Sequence, residues 1–516
     1  MNHKFALGKS RWRQCGLSAA SAVLTFLASP PFLLPFLSWI CLIPWVYETL
    51  RCPNARRAAV LGLVFGSVYG LFELEWMRFA FSESWSLWGR YGIVWLLTSL
   101  IIGISYSLGS TALWLMRDQS LIPISLSVPF VIVISESVAD RLLRHCGGTT
   151  LDTVQLALTQ VDIPITRGLA EYGGTAGLGA FVGLVNALLL QLIVEVGTLS
   201  CVFESSYAVH TSSDFADRNR NKTAMRCSRL ACVSLLCLGT WRILWSSTPL
   251  QKISAAIIPE DFSSNECGVD EWLKGARPTL VVWPESASTT TVLGEDCESL
   301  QQRAQRVGCS ILVGATRIQL SPPQIYNSVI LIDRWGNSRG SYDKQWLGPG
   351  EEIPMPIWKW LGLTPMQQDV PFHAGRRNRL MMVEPNFTFS VGICHDVCFP
   401  EWLIQTCHLN PDFVVLCGNE TFDRSGRISK SLLALSRLRA IESRKNVLRC
   451  ATGGPSGFIT PDGEFAAIDE RTLAIINVNS GFGPSARTTW GPWAFWLLMF
   501  GSAFIIPFSR RPSKDC

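Results

Sequence analysis

Phe389-Ser390-Val391-Gly392-Ile393-Cys394-His395-Asp396 decides how this chain is read. It is an apolar, β-type run that ends on a thiol, with a carboxylate two residues further on. Two upstream segments have a related form. Thr279-Leu280-Val281-Val282-Trp283-Pro284-Glu285 ends a second apolar run on a carboxylate, and Tyr342-Asp343-Lys344-Gln345-Trp346-Leu347 offers an amine. Acyl transfer through a thiol needs a base to activate it and a cation to hold the oxyanion. Each residue taken singly has a plainer use. A cysteine after a strand is usually inert core, a glutamate after Trp-Pro suits the first turn of a helix, and a loop lysine is usually solvated. The three together, in this order, point to one site.

The sequence around these residues reads as an α/β domain. Strand-like runs fall at 253–258, 279–283, 310–315, 327–333, 387–394, 412–417, 446–450, 458–460 and 473–478, and helical stretches at 297–306 and 431–444. Trp335-Gly336-Asn337 and Pro461-Asp462-Gly463 punctuate them as turns. In such folds ligands meet the carboxyl ends of the strands, where Glu285 and Cys394 both fall.

Outside this stretch the chain changes character. The whole carries 48% hydrophobic and only 16% charged residues over 516 positions, with a mean hydropathy of +0.24, against about a quarter charged in soluble chains. Apolar segments at 17–28, 32–47, 58–77, 91–116, 121–138, 178–194, 230–245 and 493–508 predict a polytopic helical bundle, with about eight spans if each takes about 20 residues. A basic start before 17–28 also fits a cleaved leader, but a second apolar stretch follows almost at once, so retention is expected. With this parity the basic loops share one side: Lys4, Lys9, Arg11 and Arg13; Arg51, Arg56 and Arg57; Arg117; Arg218, Arg220, Lys222, Arg226 and Arg229; Arg510, Arg511 and Lys514. That side is cytoplasmic, and 246–489 lies on the other. Trp76, Trp85, Trp88, Trp241, Trp245, Trp490 and Trp493 are placed as an interfacial belt. The net charge of +5 speaks to membrane orientation, not to nucleic acid. The 17 cysteines show no CxxC pair, so neither zinc nor a disulfide framework is indicated. The expected organisation is 1–245 membrane helices, 246–489 an extracytoplasmic catalytic domain, and 490–516 a last helix with a basic tail.

At this point the chain resembles apolipoprotein N-acyltransferases, whose catalytic domain belongs to the nitrilase (carbon–nitrogen hydrolase) superfamily. The resemblance rests on Trp283-Pro284-Glu285, Tyr326-Asn327-Ser328, Tyr342-Asp343-Lys344 running on to Pro349-Gly350-Glu351-Glu352-Ile353-Pro354, Gly392-Ile393-Cys394, Gly418-Asn419-Glu420 and Arg437-Leu438-Arg439-Ala440-Ile441-Glu442. Glu171-Tyr172-Gly173-Gly174 and Asn186-Ala187-Leu188-Leu189 extend it into the helices. It implies an αββα sandwich carried on the membrane bundle. It implies Cys394 as nucleophile, Glu285 as general base and Lys344 as oxyanion partner, with Glu352 orienting the site and Asn419 supporting the pocket. Arg439 and Glu442, three apart on a helix, read as a structural ion pair. No cofactor or metal is implied. A phospholipid would donate the acyl chain, and the diacylglyceryl-cysteine of a lipoprotein would accept it. The expected setting is a monomer in the bacterial inner membrane.

Three departures stand out. The family's Cys-Tyr-Glu is Cys394-His395-Asp396 here, so His395 either packs in the tyrosine's place, the plainer role, or titrates near neutrality, while Asp396 keeps the carboxylate on a shorter arm. The stretch between 253–258 and Glu285 is short, and the tryptophan that the family places there for substrate contact has no secure counterpart, Trp272 being only a weak candidate. The family's Thr-Asn-Asn-Gly is Thr452-Gly453-Gly454-Pro455. Two alternatives stay open: a membrane-tethered amidase that uses water as acceptor, and an idle scaffold that binds lipoproteins.

Overall fold

The structure is a computed structural model that describes residues 2–77, 85–117, 124–147, 150, 152–202, 226, 228–242, 251–259, 266–293, 297–348, 352–353, 372–423, 425–468, 472–478, 489, 493, 495–497 and 499. The expected loop cations at 218–222, Glu351, Trp245, Trp490, the final helix beyond 499 and the basic tail lie outside these residues, as do the side chains of Trp85 and Trp88.

The first half is helical: α1 (Asn2–Ala28), α2 (Ile43–Leu50), α3 (Ala55–Glu73), α4 (Trp85–Met116), α5 (Ile124–Gly147), α6 (Ala170–Val202) and α7 (228–242). Among the described residues three helices are long and apolar enough to cross a membrane: Ala55–Glu73, Gly92–Met116 and Ala170–Glu195. The expectation of eight spans is therefore not reached by length and composition. The span expected at 32–47 is not one helix. It is a 3-10 turn, Pro35–Trp39, followed by the short α2. The prolines explain this: Pro35 and Pro44 fit first-turn positions, where the missing N–H is not needed, but not the interior of a continuous helix. In the other direction, α1 and α5 run well beyond the apolar stretches at 17–28 and 121–138.

α6 is interrupted. Gly174 sits at φ 65°, ψ −168°, a conformation open to glycine, so the helix stops after Gly173 and restarts at Thr175. Further along the same helix, Asn186 uses its side chain to hold the stretch between Pro35 and α2. Its Oδ1 accepts from Leu42 N at 3.0 Å, and its Nδ2 donates to Ser38 O at 2.7 Å. Leu42 N and Ser38 O, which would pair with each other in a continuous helix, thus both find a partner.

From Gln251 onward, strands and helices build a sandwich. One sheet has the order β13-β1-β2-β4-β5-β6, with β3 beside β4, and the other the order β12-β11-β10-β9-β8-β7. The strands are β1 (Gln251–Ile257), β2 (Leu280–Val282), β3 (Ser288–Leu293), β4 (Ser310–Leu320), β5 (Pro323–Ile332), β6 (Ser338–Asp343), β7 (Met381–Val383), β8 (Phe387–Ile393), β9 (Phe413–Asn419), β10 (Asn446–Thr452), β11 (Gly457–Ile459), β12 (Phe465–Ala467) and β13 (Thr472–Val478). The centre of each sheet is parallel: β1, β2 and β4 in the first, β8, β9 and β10 in the second.

Side chains alternate across these strands. Leu280 and Val282 join Phe389, Val391, Phe413 and Val415 between the sheets. Val281 faces outward against the helices α8 (Glu266–Ala276) and α9 (Glu298–Val307), meeting Leu273 and Leu300. On the other side Val414 and Leu416 face α10 (Pro400–Leu409) and α11 (Arg427–Ser443). The layers are α-β-β-α. The second helical layer is covered again, because Leu435 and Leu438 of α11 share a core with Leu178 and Phe181 of α6. The sandwich thus sits directly on the broken helix.

Candidate active site

Glu285, Lys344 and Glu352 converge. Lys344 follows β6, and its Nζ lies 2.9 Å from Glu285 Oε1 and 2.9 Å from Glu352 Oε2, all three side chains being buried. Asn327, on β5, donates its Nδ2 to Glu285 Oε1 at 2.7 Å and also to Glu352 Oε1. Burial alone would strip the charge from Lys344, but the two carboxylates outweigh it and hold the amine well above its ordinary value, so the ammonium persists. Cys394 is close enough to add to that field.

Glu285 owes its place to the end of β2. Gly314 on β4 passes so close that a Cβ there would meet Pro284 O at 2.3 Å and Glu285 Cα at 2.7 Å. Its second oxygen, Oε2, accepts from Asn419 N at 2.9 Å. Asn419, expected to support the pocket, thus meets Glu285 through its backbone. Its backbone N–H supports Glu285, while its side-chain Oδ1 accepts from Thr421 Oγ1 at 2.7 Å. This is a consequence of strand position: Asn419 is the last residue of β9, so its amide lies at the carboxyl end of that strand, within reach of Glu285, which follows β2 in the other sheet.

Cys394 is half-buried and stands at the junction of β8 and a 3-10 turn, Cys394–Cys398, with φ 45°. A non-glycine residue in the left-handed region is strained, so neighbours must hold it there. Asp396 is one of them. Its Oδ2 accepts from Ile393 N at 2.9 Å and from Tyr342 Oη at 2.7 Å; its Oδ1 accepts from Trp346 N at 3.0 Å and Gln345 N at 3.2 Å. One carboxylate thus ties the Cys394 turn to the loop that carries Lys344. Burial pushes the Asp396 carboxyl up to about 6, against these hydrogen bonds.

His395 does not sit near neutrality, so of its two expected roles packing is the one that fits. Burial, and then the nearby Lys344 ammonium, push it down to about 4, so it is neutral above pH 5. Its ring stands edge-on to Phe399 at 5.0 Å. Trp272 is not at the site: it lies on α8 and packs in the outer helical layer with the Val281–Trp283 side of β2. Glu420 escaped the sequence reading. It is buried, pairs with Arg449 and lines a narrow cavity with Cys394, Cys417 and Gly418. Only its place beside Asn419 pointed to it. Among the described residues no group of three His, Cys, Asp or Glu is disposed to hold a metal ion.

Residues 21–188 match the model of the apolipoprotein N-acyltransferase N-terminal domain, and residues 272–480 that of the carbon-nitrogen hydrolases. The apolipoprotein N-acyltransferase of Wigglesworthia glossinidia brevipalpis is 21% identical over 437 residues, 81% of each chain. That of Aquifex aeolicus is 26% identical over 322 residues, 58% of this chain and 70% of the relative. That of Rhizobium rhizogenes is 28% identical over 256 residues, so the chain spans about half the length of this relative, 46%. Among solved structures, Saccharomyces cerevisiae Nit3, a member of branch 10 of the nitrilase superfamily, aligns at a TM-score of 0.36 and 16% identity, over 48% of this chain and 95% of that one. With the N-terminal helical domain and the hydrolase domain present in series, the chain belongs to the apolipoprotein N-acyltransferase family.

Proposed function

We propose that this chain carries out its family's reaction, the N-acylation of lipoproteins, through a thioester on Cys394. The observation that carries this reading is the buried Glu285–Lys344–Glu352 cluster, which faces a strained cysteine turn in a domain seated on apolar helices. The donor is a phospholipid, and the acceptor is the α-amine of a diacylglyceryl-cysteine. In the first half-reaction Cys394 Sγ attacks the ester carbonyl, and Glu285 takes the thiol proton. Lys344 stabilises the tetrahedral oxyanion. The C–O bond breaks, the lysophospholipid alkoxide takes the proton from Glu285, and a thioester remains. In the second half-reaction the amine attacks the thioester, Glu285 takes a proton from the nitrogen, and the C–S bond breaks. The amide leaves, and the proton returns to the thiolate.

Glu352 and Asn327 orient Glu285 and Lys344, Asn419 steadies Glu285 through its amide, and Asp396 with His395 shapes the nucleophile turn. Both substrates keep their tails in the bilayer, so the apolar helices bring them to a site that must exclude water, or the thioester would be hydrolysed. We place the chain in the bacterial inner membrane as a multi-pass protein, with membrane parts 1–245 and 490–516 and the catalytic part 246–489 on the extracytoplasmic side.

The test supplies phospholipid and a diacylglyceryl-cysteinyl peptide to the wild type and to Cys394→Ala. Mass spectrometry is expected to show the N-acyl peptide and an acylated Cys394 in the wild type alone, with transfer reduced about 10⁴-fold or more in the variant. Free fatty acid as the sole wild-type product would favour the hydrolase reading, and unchanged transfer by Cys394→Ala would remove the nucleophile assignment.

A further inference from the structure

Two motifs on separate halves of the chain meet behind the nucleophile. One is the break in α6 at Gly174, next to Glu171; the other is the end of α11, with Arg439 and Glu442. Arg439 and Glu442 are buried and pair at 2.6 Å (Nη1 to Oε2). Arg439 Nε then donates to Val397 O at 2.9 Å, inside the turn that begins with Cys394. On its other side Glu442 Oε1 accepts from Thr175 N at 3.2 Å. Thr175 opens the restarted part of α6, so its N–H lacks a partner within that helix, and a carboxylate is favoured at such an end. A second tie runs in parallel: Glu171, just before the break, pairs with Arg444 at the end of α11 (3.3 Å) and with Arg242 of α7.

The nucleophile turn therefore has two anchors. Asp396 holds its first half to the Lys344 loop, and Arg439 holds its second half. Resting on the reading of Cys394 given above, we propose that Arg439 and Glu442 are positioning residues that keep the Cys394 turn in register only while the catalytic domain is seated on the broken membrane helix. A fully buried ion pair is a poor source of stability compared with apolar packing. Its bonds here go to a turn carbonyl and to a helix break, which makes positional control the use that fits them.

The test uses the full-length protein in detergent or vesicles. Thr175→Pro deletes the N–H while proline is compatible with a first helical position and the preceding glycine is extended in ψ. Glu442→Gln removes the charge at constant size. Both are expected to lower kcat for acyl transfer about 10-fold or more, with KM for phospholipid nearly unchanged. The double variant is expected to be no worse than the poorer single one, because both cut one link. The pH profile of Cys394 alkylation by iodoacetamide, followed on that peptide by mass spectrometry, is expected to move upward as the thiol drifts from Lys344. Arg439→Lys keeps the positive charge but removes the Nε donor to Val397 O, and is expected to show the same kcat loss and alkylation shift. Wild-type kcat and an unmoved alkylation profile in both single variants would overturn the proposal. So would additive losses confined to KM. Alkylation reports on the thiol without any acyl donor. A wild type that transfers no acyl chain, while the variants still shift alkylation, would therefore count against the function and not against the link.

Discussion

The two sheets of the sandwich furnish different halves of the candidate site, and they do so by different means. The first sheet supplies charge: Glu285 after β2 and Lys344 after β6, bound to each other, to Glu352 and to Asn327 by side-chain contacts. The second sheet supplies a conformation, the turn after β8, where Cys394 sits at φ 45° and is held by Asp396 and Arg439. The charged half is satisfied before any substrate arrives, so it is preorganised, and little reorganisation is needed when the oxyanion forms. The cysteine half depends mostly on hydrogen bonds to backbone groups, so it is sensitive to small displacements.

Variants on the two sides should separate these behaviours. Lys344→Met attacks the charged half. It leaves Glu285 and Glu352 buried without their cation, a loss of about 3–5 kcal/mol, read as a lowered Tm. Among molecules that remain folded, acyl transfer is expected to fall about 10²–10³-fold. An activity close to wild type would show that Lys344 is structural.

Asp396→Asn attacks the conformational half and should cost less, about 10-fold in kcat, since an amide can still accept some of the four hydrogen bonds. Its pH signature is more telling. The folded Asp396 value, about 6, lies above its ordinary 3.8, so the folded state binds the extra proton between these values. Stability contributed by this group is thus greatest at low pH and declines as pH rises through about 6. The hydrogen bonds that align the turn require the opposite, ionised form. Transfer by the wild type should fall as pH drops below about 6 even though the fold does not loosen, and this limb should change in Asp396→Asn. An unchanged limb in the variant would assign it to another group, with Glu285 next in line.

The smallest effect is expected at His395→Phe. The ring is neutral above pH 5 because its value is pushed down to about 4, and it packs against Phe399. Transfer should stay within about 3-fold, and the profile between pH 6 and 9 should not move. A lost limb in that range would restore a titrating histidine to the mechanism.

Much of the α/β domain could be read from local pattern. The apolar run 387–394 became β8 with Cys394 just past its end, and 279–283 became β2 with Glu285 three residues on. Short strands such as β7 and β12 escaped, because three residues at a sheet edge carry too little periodicity. The membrane half was less legible. Hydropathy averages over a window, so the stretch 32–47 read as one span although its prolines divide it, and α5 reads as apolar only up to its Asp140 and Arg144.

The sequence by itself determined which chemical groups are present and that each follows an apolar run: order along the chain, β-branched content and strand-end position are local properties. It also determined membrane character, since composition alone exceeds what a soluble chain carries. Only the tertiary structure decided that Asn419 meets Glu285 through its amide, that His395 is neutral, and that Glu442 reaches Thr175 across 267 positions of chain. Burial and hydrogen-bond direction depend on what the fold brings alongside a residue, and no window of sequence contains that partner.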